Sequence, residues 1–211
     1  PKIGDVLQMN ITVTDNMDIG SVRLAHNQSG SLSNASILNY TGSSDTSVTA
    51  IFNLTVTMAH GLMQWQVWAN DSAGNSNVSE QFTVTVQNTV PTVPNVIYPV
   101  NNSIYTDIPY INYSSSDADG DAITYKIYIN GTLNITTSTN VSDWNASDGY
   151  YNLTVSASDG IDNSANSSSI YFRLDSTTPS VVLNKPLNNT WQNNGLVWFN
   201  YTATGTNLDD C

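Results

Sequence analysis

Trp65-Gln-Val-Trp-Ala-Asn-Asp71 and Leu153-Thr-Val-Ser-Ala-Ser-Asp159 are one pattern written twice, 88 residues apart. In both, a large apolar residue, a valine and an alanine recur at every second position, and the run ends in aspartate. Alternation of period two places those three on one face and the polar residues on the other, as in a strand with one buried and one wet side. Other stretches repeat around this one. Pro99-Val-Asn-Asn-Ser103 returns as Pro186-Leu-Asn-Asn-Thr190, 87 residues on. Met9-Asn-Ile-Thr-Val-Thr14, Ile111-Asn-Tyr-Ser-Ser-Ser116 and Phe199-Asn-Tyr-Thr-Ala-Thr204 are three copies of one strand. In the first, Leu7, Met9, Ile11 and Val13 share a face. Turn clusters fall every 8–12 residues or so, and no segment carries a helical period, which together mark an all-β sandwich.

A unit of about 88 residues fits one immunoglobulin-sized module of roughly 100 residues. The expected fold is therefore all-β, tandem immunoglobulin-like β-sandwich modules, two near-complete plus the start of a third. The first spans residues 1–89. Residues 90–94, with Pro91 and Pro94, form an extended, semi-rigid linker. The second spans 95–177, and 178–211 hold the first strands of the third. The first module lacks the strand that opens the others (Val96-Ile-Tyr98, Val181-Val-Leu183). We therefore expect an internal stretch of a longer chain.

Composition narrows the function classes. Charged residues are only 10% of the 211, and the net charge of −12 reflects five basic residues, Lys2, Arg23, Lys126, Arg173 and Lys185, rather than an excess of acid. Such a surface cannot neutralise a phosphate backbone, so nucleic acid is excluded as a partner. It is equally unsuited to an anionic membrane surface. No apolar run reaches the 18 or so residues of a membrane span. No catalytic residues are expected: His26 and His60 have no metal-ligand spacing, no nucleophile elbow is present, and the lone cysteine, Cys211, cannot build a thiolate site or an internal disulfide. Cys211 is left as a free thiol or as the partner of a residue elsewhere.

Tyr151-Asn-Leu-Thr-Val-Ser-Ala157 resembles strand F of fibronectin type III and related domains, with Asp71-Ser-Ala-Gly-Asn75 and Asp159-Gly160 as the turn after it. The wider pattern, Pro-x-Asn-Asn-Ser/Thr followed by an aromatic-Asn-Tyr strand, resembles tandem immunoglobulin-like repeats of archaeal and bacterial cell-surface proteins. That resemblance implies an extracellular location and a structural role in a stalk, sheath or filament. Other copies or modules of the same protein would be its partners, and an incomplete sandwich could be completed by a neighbour's strand. An adhesin or carbohydrate-binding module is the alternative.

The N-glycosylation triplet, Asn-x-Ser/Thr, occurs at Asn10, Asn27, Asn34, Asn39, Asn53, Asn70, Asn77, Asn101, Asn112, Asn130, Asn134, Asn140, Asn145, Asn152, Asn166, Asn188 and Asn200. With Asn at about 13% and Ser plus Thr at about 24% of the chain, chance gives roughly seven, so seventeen is more than a twofold excess. Alternation explains strand triplets such as Asn10-Ile-Thr and Asn152-Leu-Thr, but not those in loops such as Asn27, Asn70 and Asn101. Several occupied sites, and N-linked glycans as partners, are the expectation.

Asp117-Ala-Asp-Gly-Asp121 is the densest acidic cluster. Alternate aspartates around a glycine suit Ca2+, which takes six to eight hard oxygens. The stretch is similar to calcium loops of polycystic-kidney-disease-like and cadherin-like modules, although the glutamate and helices of an EF-hand are missing. The plainer reading is an Asp/Gly turn between strands. Asp15 and Asp18 occupy the same turn of the first module, and Asp209 and Asp210 that of the third. Calcium at Asp117, Asp119 and Asp121 is the single cofactor expectation. Finally, the parity of its strand buries Trp65 and exposes Trp68, an indole free to stack on a sugar or fill an interface.

Overall fold

The computed structural model describes residues 1–193 and 195–205, so Asp209, Asp210 and Cys211 lie outside the described residues. Every regular element among the described residues is a strand. No helix among them is long and apolar enough to cross a membrane. The chain folds as tandem immunoglobulin/fibronectin-III-like β-sandwiches.

The first sandwich uses β1 (Val6–Thr14), β2 (Ser21–His26), β3 (Ser33–Asn39), β4 (Ser47–Thr55), β5 (Gly61–Asn70), β6 (Ser76–Val78) and β7 (Phe82–Val86). β1 and β4 form one antiparallel sheet. The other runs β3–β2–β5, and the free edge of β5 is shared: Trp68–Asn70 pair with β6, Gly61–Trp65 with β7. The inward residues of the alternating strands meet between the sheets. Met9, Ala50 and Phe52 come from one side, Val22, Leu24 and Val67 from the other, with Ile19 between strands, all buried. Full burial of such a side chain contributes about 1.5–3 kcal/mol. Val56, Met63 and Val86 form a smaller cluster.

The second sandwich uses β8 (Asn95–Tyr98), β9 (Ser103–Tyr105), β10 (Ile111–Ser114), β11 (Thr124–Ile129), β12 (Thr132–Thr137), β13 (Val141–Ser142), β14 (Gly149–Ser158) and β15 (Ile170–Leu174). Its sheets run β13–β10–β8 and β12–β11–β14–β15–β9, with β9 parallel to β15. β14 begins 88 residues after β5 and is the same ten residues long. The repeat is not uniform, however: Met9 and Ile111 stand 102 apart. The first sandwich spends the extra residues on β4, paired with β1 over nine positions, whereas β10 pairs with β13 over two and takes β8 on its other side. Trp144 is buried; its indole N–H donates to the Pro109 carbonyl at 2.7 Å, and its ring meets Tyr151 and Phe172 edge-on. The Tyr151 hydroxyl donates to the Ser147 carbonyl at 2.6 Å, a tyrosine corner at the entry of β14.

β16 (Ser180–Lys185) and β17 (Asn200–Thr204) pair with each other. Contacts divide the chain into two compact units. One holds residues 1–92, 115–124 and 157–164; the other holds 93–114, 125–156 and the remainder.

Candidate metal centre and surface sites

The first acidic turn shows what a self-contained Asp turn looks like. Asp15 Oδ1 accepts from the backbone N–H groups of Met17 (2.9 Å) and Asp18 (3.3 Å). Asp18 in turn accepts from the Ser72 hydroxyl and backbone N–H. Nearby, Asp71 accepts from the side chain and backbone of Asn75 at 2.7 and 2.8 Å, and these bonds, the side-chain one foremost, hold its carboxyl below the usual range.

The second turn has the same frame and a different outcome. Asp117 Oδ1 accepts from the N–H groups of Asp119 (2.9 Å) and Asp121 (3.2 Å), an Asx turn that folds the loop around Gly120, whose φ of 81° favours glycine. Asp117, Asp119 and Asp121 thereby bring one carboxylate oxygen each within 4.8 Å of one another. Asp117 Oδ2, Asp119 Oδ1 and Asp121 Oδ2 are sealed from solvent and accept no hydrogen bond among the described residues. His60 Nε2 lies 3.4 Å from Asp121 Oδ2; that is ion-pair range without hydrogen-bond alignment, so its charge, when protonated, helps and its N–H leaves the oxygen uncapped. Buried carboxylate oxygens without donors are costly, and three together repel.

Two residues the sequence did not mark stand at this turn. Thr89 donates its backbone N–H to Asp119 Oδ2 at 2.5 Å, and its hydroxyl oxygen is buried and unpartnered. Asn88 donates Nδ2 to Asp159 (2.8 Å) and Asp162 (3.0 Å), which leaves its amide Oδ1 buried and unpartnered. Burial on its own would raise the Asp159 carboxyl; the hydrogen bonds, led by that from Asn88, outweigh it and hold the carboxyl low. All these residues belong to the first compact unit. Three donor-less carboxylate oxygens within 4.8 Å of one another could hold a hard divalent cation; with 2.3–2.6 Å bonds and loose geometry Ca2+ would suit them better than Mg2+. Neither Asn88 nor Thr89 carries a signal in the sequence, where they read as the last residues of the first module.

Of the seventeen glycosylation triplets, Asn27, Asn70, Asn112 and Asn152 are half-buried and the other thirteen exposed. The structure gives several loop asparagines a mechanical reason to exist. Asn27 Oδ1 accepts from the Gln64 N–H at 2.7 Å while its own N–H donates to the Gln64 carbonyl. Asn130 does the same with Asn152, and Asn101 Oδ1 accepts from the Tyr171 N–H at 2.8 Å. Each amide stands in for a missing rung of the ladder. In the Pro-x-Asn-Asn motif the second asparagine, Asn102 or Asn189, holds φ near 60°. At Asn101 and Asn130 these roles use Oδ1 or the backbone and glycosylation uses Nδ2, so the two are compatible; Asn27 also donates its Nδ2 to the Leu62 carbonyl at 3.4 Å.

Trp65 is half-buried against the first core and stacks on Phe82 at 4.9 Å. Trp68, on the opposite face of β5, is 40% exposed and lines a groove of about 530 Å3 with Arg23 and Asn34.

No protein-family profile and no curated protein matches the chain. Solved structures do. The fibronectin(III)-like modules of Clostridium thermocellum CbhA align at 20% identity over 82% of this chain and 87% of theirs, with a TM-score of 0.38. The ICAM-5 D1–D4 ectodomain fragment aligns at 10% identity over 88% of this chain and 54% of its own, with a TM-score of 0.47. The chicken CNTN1 FN1–FN3 domains align at 10% identity over 86% and 69%, with a TM-score of 0.34. At these values they are likenesses of fold.

Proposed function

We propose that this chain is a structural, non-catalytic stretch of an extracellular, N-glycosylated stalk, sheath or filament on an archaeal or bacterial surface, and that its Asp117–Asp121 turn takes Ca2+. The observation that carries the structural reading is the recurrence of one strand plan along the chain. β1, β10 and β17 each carry the same Asn-containing strand, and the first two sit in sandwiches with separate cores. Modules that each bury their own core extend a surface without needing a binding site of their own. Few charges and many exposed Asn, Ser and Thr suit a surface whose solubility comes from sugar. The three unpartnered carboxylate oxygens of Asp117, Asp119 and Asp121, within 4.8 Å of one another, support the cation.

The test is electron microscopy of the native cell surface with an antibody to this chain, together with mass spectrometry of its glycopeptides. Labelling along a repeating appendage or coat, on peptides heavier than their sequence, is the expected result. Unlabelled surfaces, or peptides of bare mass throughout, reject it. The adhesin reading draws on Trp68 in its groove; binding to an external glycan, lost in Trp68→Ala, would favour it instead.

A further inference from the structure

Five of the seventeen glycosylation triplets have an aromatic residue two positions before the asparagine: Trp68/Asn70, Tyr110/Asn112, Tyr128/Asn130, Tyr150/Asn152 and Trp198/Asn200. Aromatics make up 9% of the chain, so chance would place about one or two there. Two positions apart on a strand means the same face, side by side. Two of the pairs lie wholly within strands, Trp68/Asn70 in β5 and Tyr150/Asn152 in β14, and there it is the outer face: Tyr150 is 75% exposed and Trp68 40%. Large aromatics in water need a reason when they recur beside one residue type.

The grooves of the two units give the geometry. In the second unit Asn152 lies opposite Tyr171 across the β14–β15 ladder, and Tyr150 lies opposite Arg173. Tyr150, Tyr171 and Ile104 wall a groove of about 500 Å3 that contains Asn152 and Asn130. That is the size of a small-molecule site. Asn152 Oδ1 is buried without a partner there, so the surface that half-buried Asn152 still exposes is not its carbonyl. In the first unit the groove of about 530 Å3 contains Trp68, Asn70 and Asn34. Asn70 Oδ1 accepts from the Ser21 hydroxyl, which fixes the orientation of the amide. Each groove thus holds two acceptor asparagines and an exposed aromatic.

We propose that Tyr150 with Tyr171, and Trp68, are seats for this chain's own glycans, on which the first sugars linked to Asn152 and Asn70 stack. This rests on the sugar-coat reading. In the linkage, Nδ2 bonds to C1 of a sugar carried by a lipid-linked glycosyl phosphate; the C1–O bond to phosphate breaks and the amide proton leaves with it. The apolar face of a pyranose then covers the aromatic ring, and its hydroxyls bring donors to the wet rim. The chemistry is that of a neutral saccharide, in keeping with grooves that hold amides, hydroxyls and a single arginine each. It gives Trp68 an occupant from its own strand instead of an external partner.

The experiment uses the chain expressed in its source cells and, for comparison, in a bacterial cytosol that adds no N-glycan. Site-resolved glycopeptide mass spectrometry should find sugar at Asn70 and Asn152. Tyr150→Ser should lower the Tm of the glycosylated protein by several degrees, and the sugar-free protein only by the smaller amount due to the lost contact with the Arg173 guanidinium, which lies 5.7 Å from the ring centre. In the glycosylated background Asn152→Gln should cut the effect of Tyr150→Ser to that of the lost Arg173 contact, a comparison that holds even where the sugar-free form fails to fold. An equal effect of Tyr150→Ser with and without Asn152, or bare Asn70 and Asn152 among occupied sites, overturns the proposal while the sugar coat stands. Sugar at no site overturns the sugar coat itself.

Discussion

Replacing Asp119 by alanine should convert a calcium-stabilised protein into one indifferent to calcium. Asp117, Asp119 and Asp121 place carboxylate oxygens within 4.8 Å of one another. At that separation and an effective dielectric of about 20, each pair repels by roughly 3.5 kcal/mol. A bound divalent cation replaces that repulsion with attraction, and its gain appears as linkage. For an affinity near 10⁻⁴ M, at the tight end for extracellular modules, ~10 mM Ca2+ is about a hundredfold excess and adds about 2.7 kcal/mol. At roughly 4–8 °C per kcal/mol for a domain of this size, the Tm of the unit holding the site should rise by about 10–20 °C. Differential scanning calorimetry in EDTA, Mg2+ and Ca2+ reads this directly. Asp119→Ala should lose the shift and, relieved of repulsion, should be no less stable than the wild type in EDTA. Asp15→Ala, in the turn whose acids already have donors, should keep it. A wild-type shift under about 1 °C at 10 mM Ca2+, or a full shift in Asp119→Ala, would refute the reasoning.

Other outcomes follow from single contacts. Asp148 accepts from the side chains and backbone N–H groups of Thr177 and Ser176, which lower its carboxyl to about 2. A folded pKa below the ordinary value contributes stability above the ordinary value of 3.8 that is lost as pH falls toward 2; a carboxyl-carbon NMR titration should show the low midpoint, and one at or above 3.8 would reject the contact. Gly20→Ala would drive a Cβ to 2.8 Å from the Asp71 carbonyl oxygen, a backbone atom that cannot swing away, so about 1–3 kcal/mol should be lost in urea unfolding. Tyr151→Phe removes the 2.6 Å bond to Ser147 and should cost about 1 kcal/mol by the same assay, with the far-UV spectrum unchanged.

The strands were legible because alternation is a local property. Leu153, Val155 and Ala157 must share a face once the backbone is extended, and all three are buried. The non-uniform repeat was not legible, because nothing local says that β4 should pair along the whole of β1. The aromatic two places before an acceptor asparagine stands in the sequence too, but that the shared face is the wet one depends on which sheet lies opposite.

The acidic turns divide the two kinds of information most sharply. The sequence by itself determined an Asx turn at Asp15 and another at Asp117, since an aspartate oxygen reaching backbone N–H groups two to four residues on needs nothing from elsewhere. Which turn is left with unpartnered charge was decided only by the tertiary structure. Ser72, 54 residues away in sequence, donates to Asp18, while Asn88 and Thr89 arrive at the second turn carrying buried oxygens that face no donor. Hydrogen-bond satisfaction depends on all the atoms within about 3 Å, and in a sandwich those come from loops far apart along the chain.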